Sequence, residues 1–300
     1  MQTEAGHAAG ASPGRHQVIG VFYILASAAC FGSMAIFARM AYASGVDIPT
    51  LLLLRFTMAA ILMWTLILVH HVKLPKGKGM AMLVAMGAIG YAGQAFSYFT
   101  ALTLASVGLV SLLLYLFPAI VAILSRIVFR HPLTWMQIAA VAVALVGSVL
   151  TIGKAGDGKP LGIFFGILAA FIYSVYILAG SRLPKEVTPA ASTTIITSAA
   201  AVIYAVVVAG KGFHPPGTGM GWLAVVAIAI VCTVLAILFF FEGLARVGAV
   251  RASVFSTVEP VFTVVLAALV LGEAITFMRV VGGALILGAV LLLAKENAKQ

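Results

Sequence analysis

The sequence predicts an all-α integral membrane protein with ten transmembrane helices, and three observations support this fold class. Of the 300 residues, 63% are hydrophobic and only 9% are charged, whereas a soluble domain is about one quarter charged and about half apolar. Apolar stretches of about 20 residues, long enough to cross a bilayer as helices, recur along the chain. Short segments that contain Gly, Pro and Lys, such as KLPKGKG and KGFHPPGTG, separate these stretches. No soluble fold could bury this much apolar surface, so the bilayer is the expected solvent.

Each predicted span is an apolar stretch bounded by polar or turn-forming residues. The ten spans are residues 18–42, 50–71, 80–102, 106–129, 133–152, 161–181, 190–209, 221–244, 250–271 and 275–294. Residues 1–17 are polar and rich in Ala and Gly, and we predict a disordered cytoplasmic tail there. The apolar run that follows is too long for the core of a signal peptide and has no clear cleavage site, so it is predicted to be a span.

The distribution of Lys and Arg predicts how the spans face. With the N-terminus inside, twelve basic residues fall on the cytoplasmic side and five on the outer side, which is the bias expected of membrane proteins. Both termini are therefore predicted to be cytoplasmic. The formal net charge of +10 follows from this bias, because the basic residues are scattered through short loops. No nucleic-acid partner is predicted.

The chain contains an internal repeat. Displacing the sequence by 142 residues places GVFYILASAACFGS (20–33) over GIFFGILAAFIYSV (162–175), and the same displacement places Pro118 over Pro260. Residues 18–152 and 161–294 are therefore predicted to be two five-helix repeats. Because five is odd, the second repeat enters the membrane upside down. Inverted repeats with interrupted helices in matching positions are typical of transporters, whose sites lie near the middle of the bilayer.

The two prolines and the glutamate beside one of them have different interpretations. Pro118 and Pro260 each remove one backbone hydrogen bond, so both are predicted to kink their helices. Glu259 has no acidic counterpart, since Phe117 occupies the matching position. A carboxylate inside a span usually faces the bundle interior and marks an ion or solute path. The alternative is a neutral Glu259 that only donates a hydrogen bond to a carbonyl freed by the kink.

Three segments resemble a known family. The stretch EPVFTVVLAALVLGEAITFMRVVGGALILGAVLLL (259–293) resembles the C-terminal signature of the EamA branch of the drug/metabolite transporter superfamily. ACFGSMAIFARMA (29–41) and LLLLRFTMAAILM (51–63) resemble the start of that family's first repeat. The resemblance covers about residues 18–294 and is strongest to bacterial exporters of aromatic amino acids. It implies a ten-helix exporter of the bacterial inner membrane with a central cavity, in which Glu259, Pro260, Gly272 and Glu273 are family positions.

Seven residues are candidates for substrate binding. Tyr91, Gln94 and Tyr98 share one face of the third span, and a lipid-facing amide at mid-span would be left without hydrogen bonds. The other candidates are three tyrosines and one glutamate: Tyr115, Tyr173, Tyr176 and Glu259. Packing between helices is the alternative role for the tyrosines. Arg55, near one end of the second span, could reach the cavity mouth or extend to the membrane interface, and the second position is favoured.

The predicted function is export of small amphipathic solutes, chiefly aromatic or other large apolar amino acids, by a secondary transporter that uses alternating access. Organic cations and other metabolites are alternative substrates, since aromatic faces also bind cations. A lipid-modifying membrane enzyme is the alternative from another class, but no cluster of catalytic groups is present. Cys30 and Cys232 lack metal-ligand spacing, and no GxxxxGK[ST] motif occurs, so no metal, ATP or other cofactor is expected. The predicted partners are the solute and the lipid bilayer, and the sequence gives no oligomeric state.

Overall fold

The computed structural model describes residues 13–105, 107–130, 132–152, 158–271 and 275–297, and its regular elements are helical, as predicted. Two π-helical segments, π1 and π2, interrupt otherwise α-helical rods. The elements of the first half are α1 (Pro13–Gly32), α2 (Met34–Ala43), α3 (Ile48–Val69), α4 (Lys78–Ala85), π1 (Met86–Tyr91), α5 (Ala92–Leu104), α6 (Val107–Leu114), α7 (Phe117–Phe129) and α8 (Trp135–Ile152). Those of the second half are α9 (Pro160–Gly180), α10 (Pro189–Lys211), α11 (Gly219–Ala229), π2 (Ile230–Leu235), α12 (Ala236–Val247), α13 (Ala249–Ser256), α14 (Glu259–Leu271) and α15 (Phe277–Asn297).

Among the described residues, eight helical stretches are long and apolar enough to cross a membrane. They are Gln17–Ala43, Ile48–Val69, Lys78–Ala101, Leu112–Phe129, Pro160–Gly180, Pro189–Lys211, Gly219–Val247 and Ala249–Val270. Each coincides with one predicted span. The predicted fifth and tenth spans correspond to two shorter apolar helices, Trp135–Thr151 and Phe277–Leu292.

The N-terminal helix begins earlier than the sequence predicted. Its first residue is Pro13, whose fixed φ suits the first turn of a helix and whose missing N–H is not needed there. Residues 13–17, predicted to belong to the tail, are therefore helical, and residues 1–12 lie outside the described part of the chain.

The helices that contain Pro118 and Pro260 are interrupted at equivalent places. α6 ends at Leu114 and α7 begins at Phe117, while α13 ends at Ser256 and α14 begins at Glu259. Three hydrogen bonds close the first break: Leu116 N to Leu113 O, Ala119 N to Leu116 O, and Ile120 N to Leu116 O. The second break has the same three bonds 142 residues later: Val258 N to Phe255 O, Val261 N to Val258 O, and Phe262 N to Val258 O. The proline pair therefore marks the same local geometry twice.

The π segments also lie in matching places, one in the third membrane-crossing helix and one in its counterpart in the second half. π1 continues directly into α5, and π2 continues into α12. A π segment widens the helix by one residue and is frequent at functional sites. Neither segment contains proline, so tertiary packing accounts for them better than local sequence does.

Packing between the halves is reciprocal. α3 packs on α10 and α8 packs on α15, so each of these helices contacts its own counterpart. α1 packs on α12. Their counterparts in the other halves, α9 and α5, also pack on each other, so the same contact occurs twice. A two-fold relationship between the halves accounts for this pattern.

The contact between α8 and α15 depends on small residues. A Cβ atom at Gly282 would lie 2.4 Å from the backbone nitrogen of Thr151 and 2.6 Å from the carbonyl oxygen of Gly147. Membrane helices associate closely where such residues let the backbones approach. The two helices therefore touch backbone to backbone at this point.

Candidate functional site

A cavity of about 90 Å³ lies beside the two helix breaks. Its walls combine aromatic, aliphatic, amide and charged side chains. The lining residues are Phe31, Met34, Arg55, Tyr91, Gln94, Ala95, Tyr98, Phe99, Leu114, Tyr173 and Glu259. Five of the seven candidates from the sequence are in this set, and they come from both halves of the chain. The third-span face that the sequence singled out contributes Tyr91, Gln94 and Tyr98.

Glu259 is the first residue of α14, immediately before Pro260. Its side chain is partly exposed to the cavity and has the Tyr115 hydroxyl as its hydrogen-bond partner. The positive end of a helix dipole lies at the N-terminus, and Glu259 stands at that end of α14. The helix break thus places a carboxyl group at the cavity wall rather than in lipid.

Arg55 is buried in the same wall, with only 4% of its surface exposed. The prediction that this side chain extends to the membrane interface is wrong. The interior supplies the partners that an interface would otherwise provide. Arg55 Nε donates to Thr233 Oγ1 at 2.7 Å, and Nη2 donates to the Tyr91 hydroxyl at 2.8 Å and to the Cys232 carbonyl at 3.3 Å.

The partners of Arg55 join the two π segments. Tyr91 is the last residue of π1, and Cys232 and Thr233 lie in π2. Thr233 donates its own hydroxyl proton to the carbonyl of Ile228 at 2.9 Å, so its oxygen is left to accept from Arg55. The guanidinium carbon also lies 5.0 Å from the Phe56 ring centroid. These contacts fix the direction in which the guanidinium points.

Aromatic rings form a continuous row behind and along the cavity. Successive ring centroids lie 5.3 Å apart from Phe56 to Tyr91, 5.7 Å from Tyr91 to Tyr176, 6.3 Å from Tyr176 to Tyr173, and 4.9 Å from Tyr173 to Phe117. Such separations are typical of favourable ring packing. Tyr176 supports Tyr91 and Tyr173 from behind. Tyr115 lies behind Glu259 and is hydrogen-bonded to it. Tyr115 and Tyr176 are therefore the two candidates that support lining residues and do not line the cavity themselves.

The charged groups break the symmetry of the two halves. Aligning the capped starts of α3 and α10, where Asp47 corresponds to Thr188, places Ile196 opposite Arg55. Phe117 stands opposite Glu259 at the displacement of 142 residues that matches the two prolines. The frame is therefore repeated, whereas each charge occurs once.

Several lining residues were not predicted from the sequence. Phe31, Met34, Phe99 and Leu114 are apolar, and in a chain that is 63% hydrophobic nothing distinguishes them from lipid-facing residues. The signal that could have placed Arg55 correctly is its position inside a span, because intramembrane charges usually face the bundle interior. The family positions Gly272 and Glu273 lie outside the described residues.

No group of three or more His, Cys, Asp or Glu residues suited to a metal ion occurs in the described part of the chain. Both cysteines are free thiols.

A family model matches the chain twice, over residues 18–153 and again over 160–295, and its description is EamA-like transporter family. The chain belongs to the EamA-like transporter family. Each match covers one half of this transporter, and together they run from the first apolar helix into the C-terminal helix α15.

Relatives of this EamA-like transporter are transporters by name. Uncharacterized transporter YcbK of Bacillus subtilis is 26% identical over 287 residues, which is 89% of this chain and 90% of YcbK. Uncharacterized inner membrane transporter YicL of Salmonella typhimurium is 23% identical over 94% of this chain and 97% of YicL. Aromatic amino acid exporter YddG of Ancylobacter novellus is 27% identical over 59% of this chain and 63% of YddG.

One solved crystal structure shares the fold with a TM-score of 0.79 at 24% identity, over 92% of this chain and 97% of the other. The family, the relatives and the apolar helices make this EamA-like transporter a multi-pass protein of the bacterial inner membrane.

Proposed function

We propose that the protein is a secondary transporter that exports aromatic and other large apolar amino acids by alternating access. The observation that carries this proposal is the composition of the cavity. One wall presents the rings of Tyr91, Tyr98 and Tyr173, while Arg55 and Glu259 supply both signs of charge. Mostly apolar pockets with a few placed polar groups are the usual form of small-molecule sites.

The frame we propose for this function has ten membrane spans in two inverted five-helix repeats, residues 18–152 and 161–294. The matched helix breaks, the matched π segments and the reciprocal packing support it. Helices Trp135–Thr151 and Phe277–Leu292 are then the fifth and tenth spans. The Lys and Arg bias supports a cytoplasmic location for both termini.

The amino-acid class is supported by the Tyr and Phe side chains of the lining and by the name of the YddG relative, an aromatic amino acid exporter. The cavity of about 90 Å³ is smaller than the roughly 300–1,000 Å³ of typical ligand pockets. We therefore infer that this conformation is contracted and that helices part when the solute enters. The helix breaks beside the cavity supply places where such movement can occur.

Organic cations are the second candidate substrate. Glu259 and the aromatic faces favour them, because a cation over a ring is attracted by its quadrupole. Arg55 disfavours them, since it lines the same small cavity and repels a second positive charge. A solute with both charges suits the site better.

The test is uptake of labelled phenylalanine into proteoliposomes that contain the purified protein, with and without an imposed pH gradient. Glu259→Gln keeps the size of the side chain and removes its charge. Glu242→Gln is the matched control, since Glu242 is ion-paired with Arg246 near the end of α12. We expect uptake by the wild type and by the control, and a severalfold loss in Glu259→Gln.

Three outcomes separate the possibilities. Gradient-dependent uptake by the wild type supports proton-coupled export, and residual uptake by Glu259→Gln that no longer responds to the gradient assigns the coupling to this carboxyl group. Uptake that ignores both the gradient and the substitution leaves a facilitator in which Glu259 is structural. Absence of phenylalanine uptake by folded protein excludes the proposed substrate class.

A further inference from the structure

We propose that Arg55 and Glu259 bind the two charged ends of one zwitterionic α-amino acid, Arg55 its carboxylate and Glu259 its ammonium group. This assignment deepens the proposed function and rests on it. It makes Arg55, which neither the family match nor the names of the relatives singles out, a specificity-determining residue.

Arg55 is a buried cation that has no anionic partner among the described residues. Its hydrogen bonds go to a hydroxyl of Thr233, a hydroxyl of Tyr91 and the carbonyl of Cys232, all of them neutral. Within the described residues no carboxylate lies within 4.0 Å of it. A buried charge is stable only when it is compensated, so the site favours an anion that arrives from the cavity.

Not all the guanidinium nitrogens of Arg55 are occupied by hydrogen bonds to the residues that the structure describes. Nε and Nη2 donate the hydrogen bonds to Thr233, Tyr91 and Cys232, and Nη1 makes no hydrogen bond within the described part of the chain. The two N–H groups of Nη1 point in different directions, so Nη1 can donate a charge-assisted hydrogen bond to one oxygen of a carboxylate. Because Arg55 lines the cavity, a solute can bind these donors without displacing any existing partner.

Glu259 faces the same cavity as Arg55 but forms no salt bridge with it. The Tyr115 hydroxyl is the side-chain partner of Glu259, and an oxygen of the carboxyl group remains for a donor from the solute. Tyr91 and Cys232 each lie within electrostatic range of both charged residues, so the two charges flank one small space. An α-amino acid carries its carboxylate and ammonium group on one carbon and can satisfy both at once.

The remaining lining residues then receive the side chain of the solute. Phe31, Met34, Phe99 and Leu114 are apolar and belong to the same cavity. Discrimination by such a surface is weak, since one methylene is worth only about tenfold to two-hundredfold. Arg55 and Glu259, which together we call the clamp, therefore recognise the backbone of an amino acid. The apolar wall adds a smaller preference for large side chains over small ones.

The experiment is competition against binding and uptake of labelled phenylalanine by full-length protein in proteoliposomes. The competitors are phenylalanine, phenethylamine, which lacks the carboxylate, and 3-phenylpropionate, which lacks the ammonium group. We expect the wild type to prefer phenylalanine to either analogue by roughly thirtyfold or more, the effect of leaving one buried charge unpaired. This comparison of competitors uses the wild-type protein alone.

The variants give a crossed result that a structural role would not produce. Arg55→Gln is expected to weaken the binding of phenylalanine and to leave that of phenethylamine unchanged or stronger, since the repelling charge is gone, and Arg55→Lys is expected to recover part of the loss. Glu259→Gln is expected to weaken the binding of phenylalanine and to leave that of 3-phenylpropionate unchanged or stronger. The double variant is expected to be weaker than either single one.

Four results distinguish failure of the clamp from failure of the export proposal. One is equal competition by phenylalanine and either analogue in the wild type, with uptake intact, which leaves the export proposal standing. Another is recovery of transport in the double variant, which would mean that Arg55 and Glu259 serve each other as an internal ion pair. Binding with the expected preference but without uptake would support the clamp and reject export. No binding of phenylalanine or of either analogue by folded protein would reject both.

Discussion

Nη2 of Arg55 donates a hydrogen bond of 2.8 Å to the hydroxyl of Tyr91, 36 positions later in the chain. The same nitrogen reaches the carbonyl of Cys232, so one side chain of α3 holds π1 and π2 together. The Tyr91 ring packs on Phe56 and Tyr176 at the same time. A single tyrosine therefore serves two tasks, one through its hydroxyl and one through its ring.

Tyr91→Phe separates these tasks, because it removes the hydroxyl and keeps the ring. We expect the free energy of unfolding to fall by about 1.5–3 kcal/mol, the range for a hydrogen bond to a charged group. Tyr204→Phe is the matched control, since its hydroxyl donates to the neutral carbonyl of Ala92 at 3.1 Å. Denaturation in detergent, followed by tryptophan fluorescence, measures both. Equal losses in the two variants would contradict a special role for the bond to Arg55.

Gly282→Ala tests the contact between α8 and α15. The new methyl carbon would meet Thr151 N at 2.4 Å and Gly147 O at 2.6 Å. We expect the helices to separate at a cost of about 1–3 kcal/mol, as in other overpacked sites. Gly288→Ala, on the same helix, is the control because nothing lies within 4 Å of its new Cβ. Thermal midpoints by size-exclusion chromatography compare them, and a Gly282→Ala midpoint at or above that of Gly288→Ala would disprove the close contact.

Pro118→Ala and Pro260→Ala test the matched helix breaks. Each restores an N–H that can bond the carbonyl four residues earlier, Leu114 or Ser256, and so favours a continuous helix. We expect each variant to fold, to bind solute about as well as the wild type, and to transport it severalfold more slowly. Initial uptake rates and equilibrium binding measure the two effects separately.

Pro189→Ala is the control for both, because Pro189 opens α10, where the missing N–H has no helical partner to lose. Its transport rate is expected to match that of the wild type. Unchanged rates in both Pro118→Ala and Pro260→Ala would show that the breaks take no part in movement.

Asp47 tests a loop contact at one end of the bundle. Its Oδ1 accepts from Thr50 N at 3.1 Å and caps α3, while Oδ2 lies 3.5 Å from His214 Nδ1. Asp47→Ala is expected to lower the free energy of unfolding by about 0.5–2 kcal/mol through loss of the cap. Asp47→Asn keeps a capping oxygen and removes only the charge, so it should lie near the wild type, since exposed ion pairs contribute little. Denaturation curves distinguish the two, and equal losses would assign the effect to the His214 pair.

The sequence predicted those features that depend on one residue type at one place. Pro118 and Pro260 cannot continue a hydrogen-bonded helix, so the interruptions could be located without a structure. Tyr91, Gln94 and Tyr98 were grouped correctly because helical spacing alone puts them on one face. These are local properties of the chain.

Features that depend on distant partners could not be predicted. Thr233, which holds Nε of Arg55, lies 178 positions away. Without that partner, Arg55 near one end of a span was expected at the interface. The π segments also escaped prediction, since they contain no residue that requires them. The apolar part of the cavity lining was hidden by the abundance of similar residues throughout the spans.

The unequal distribution of charge between the two halves has a consequence for how such a chain can be divided. Two copies of the first half would bring together two residues equivalent to Arg55 and no acidic group at the break, where Phe117 stands. Two copies of the second half would bring together two glutamates and, at Ile196, no cation. Neither homodimer would have a site of balanced charge. Only the pairing of one half with the other gives a duplicated frame whose centre is neutral yet polarised, and here a single chain supplies both halves.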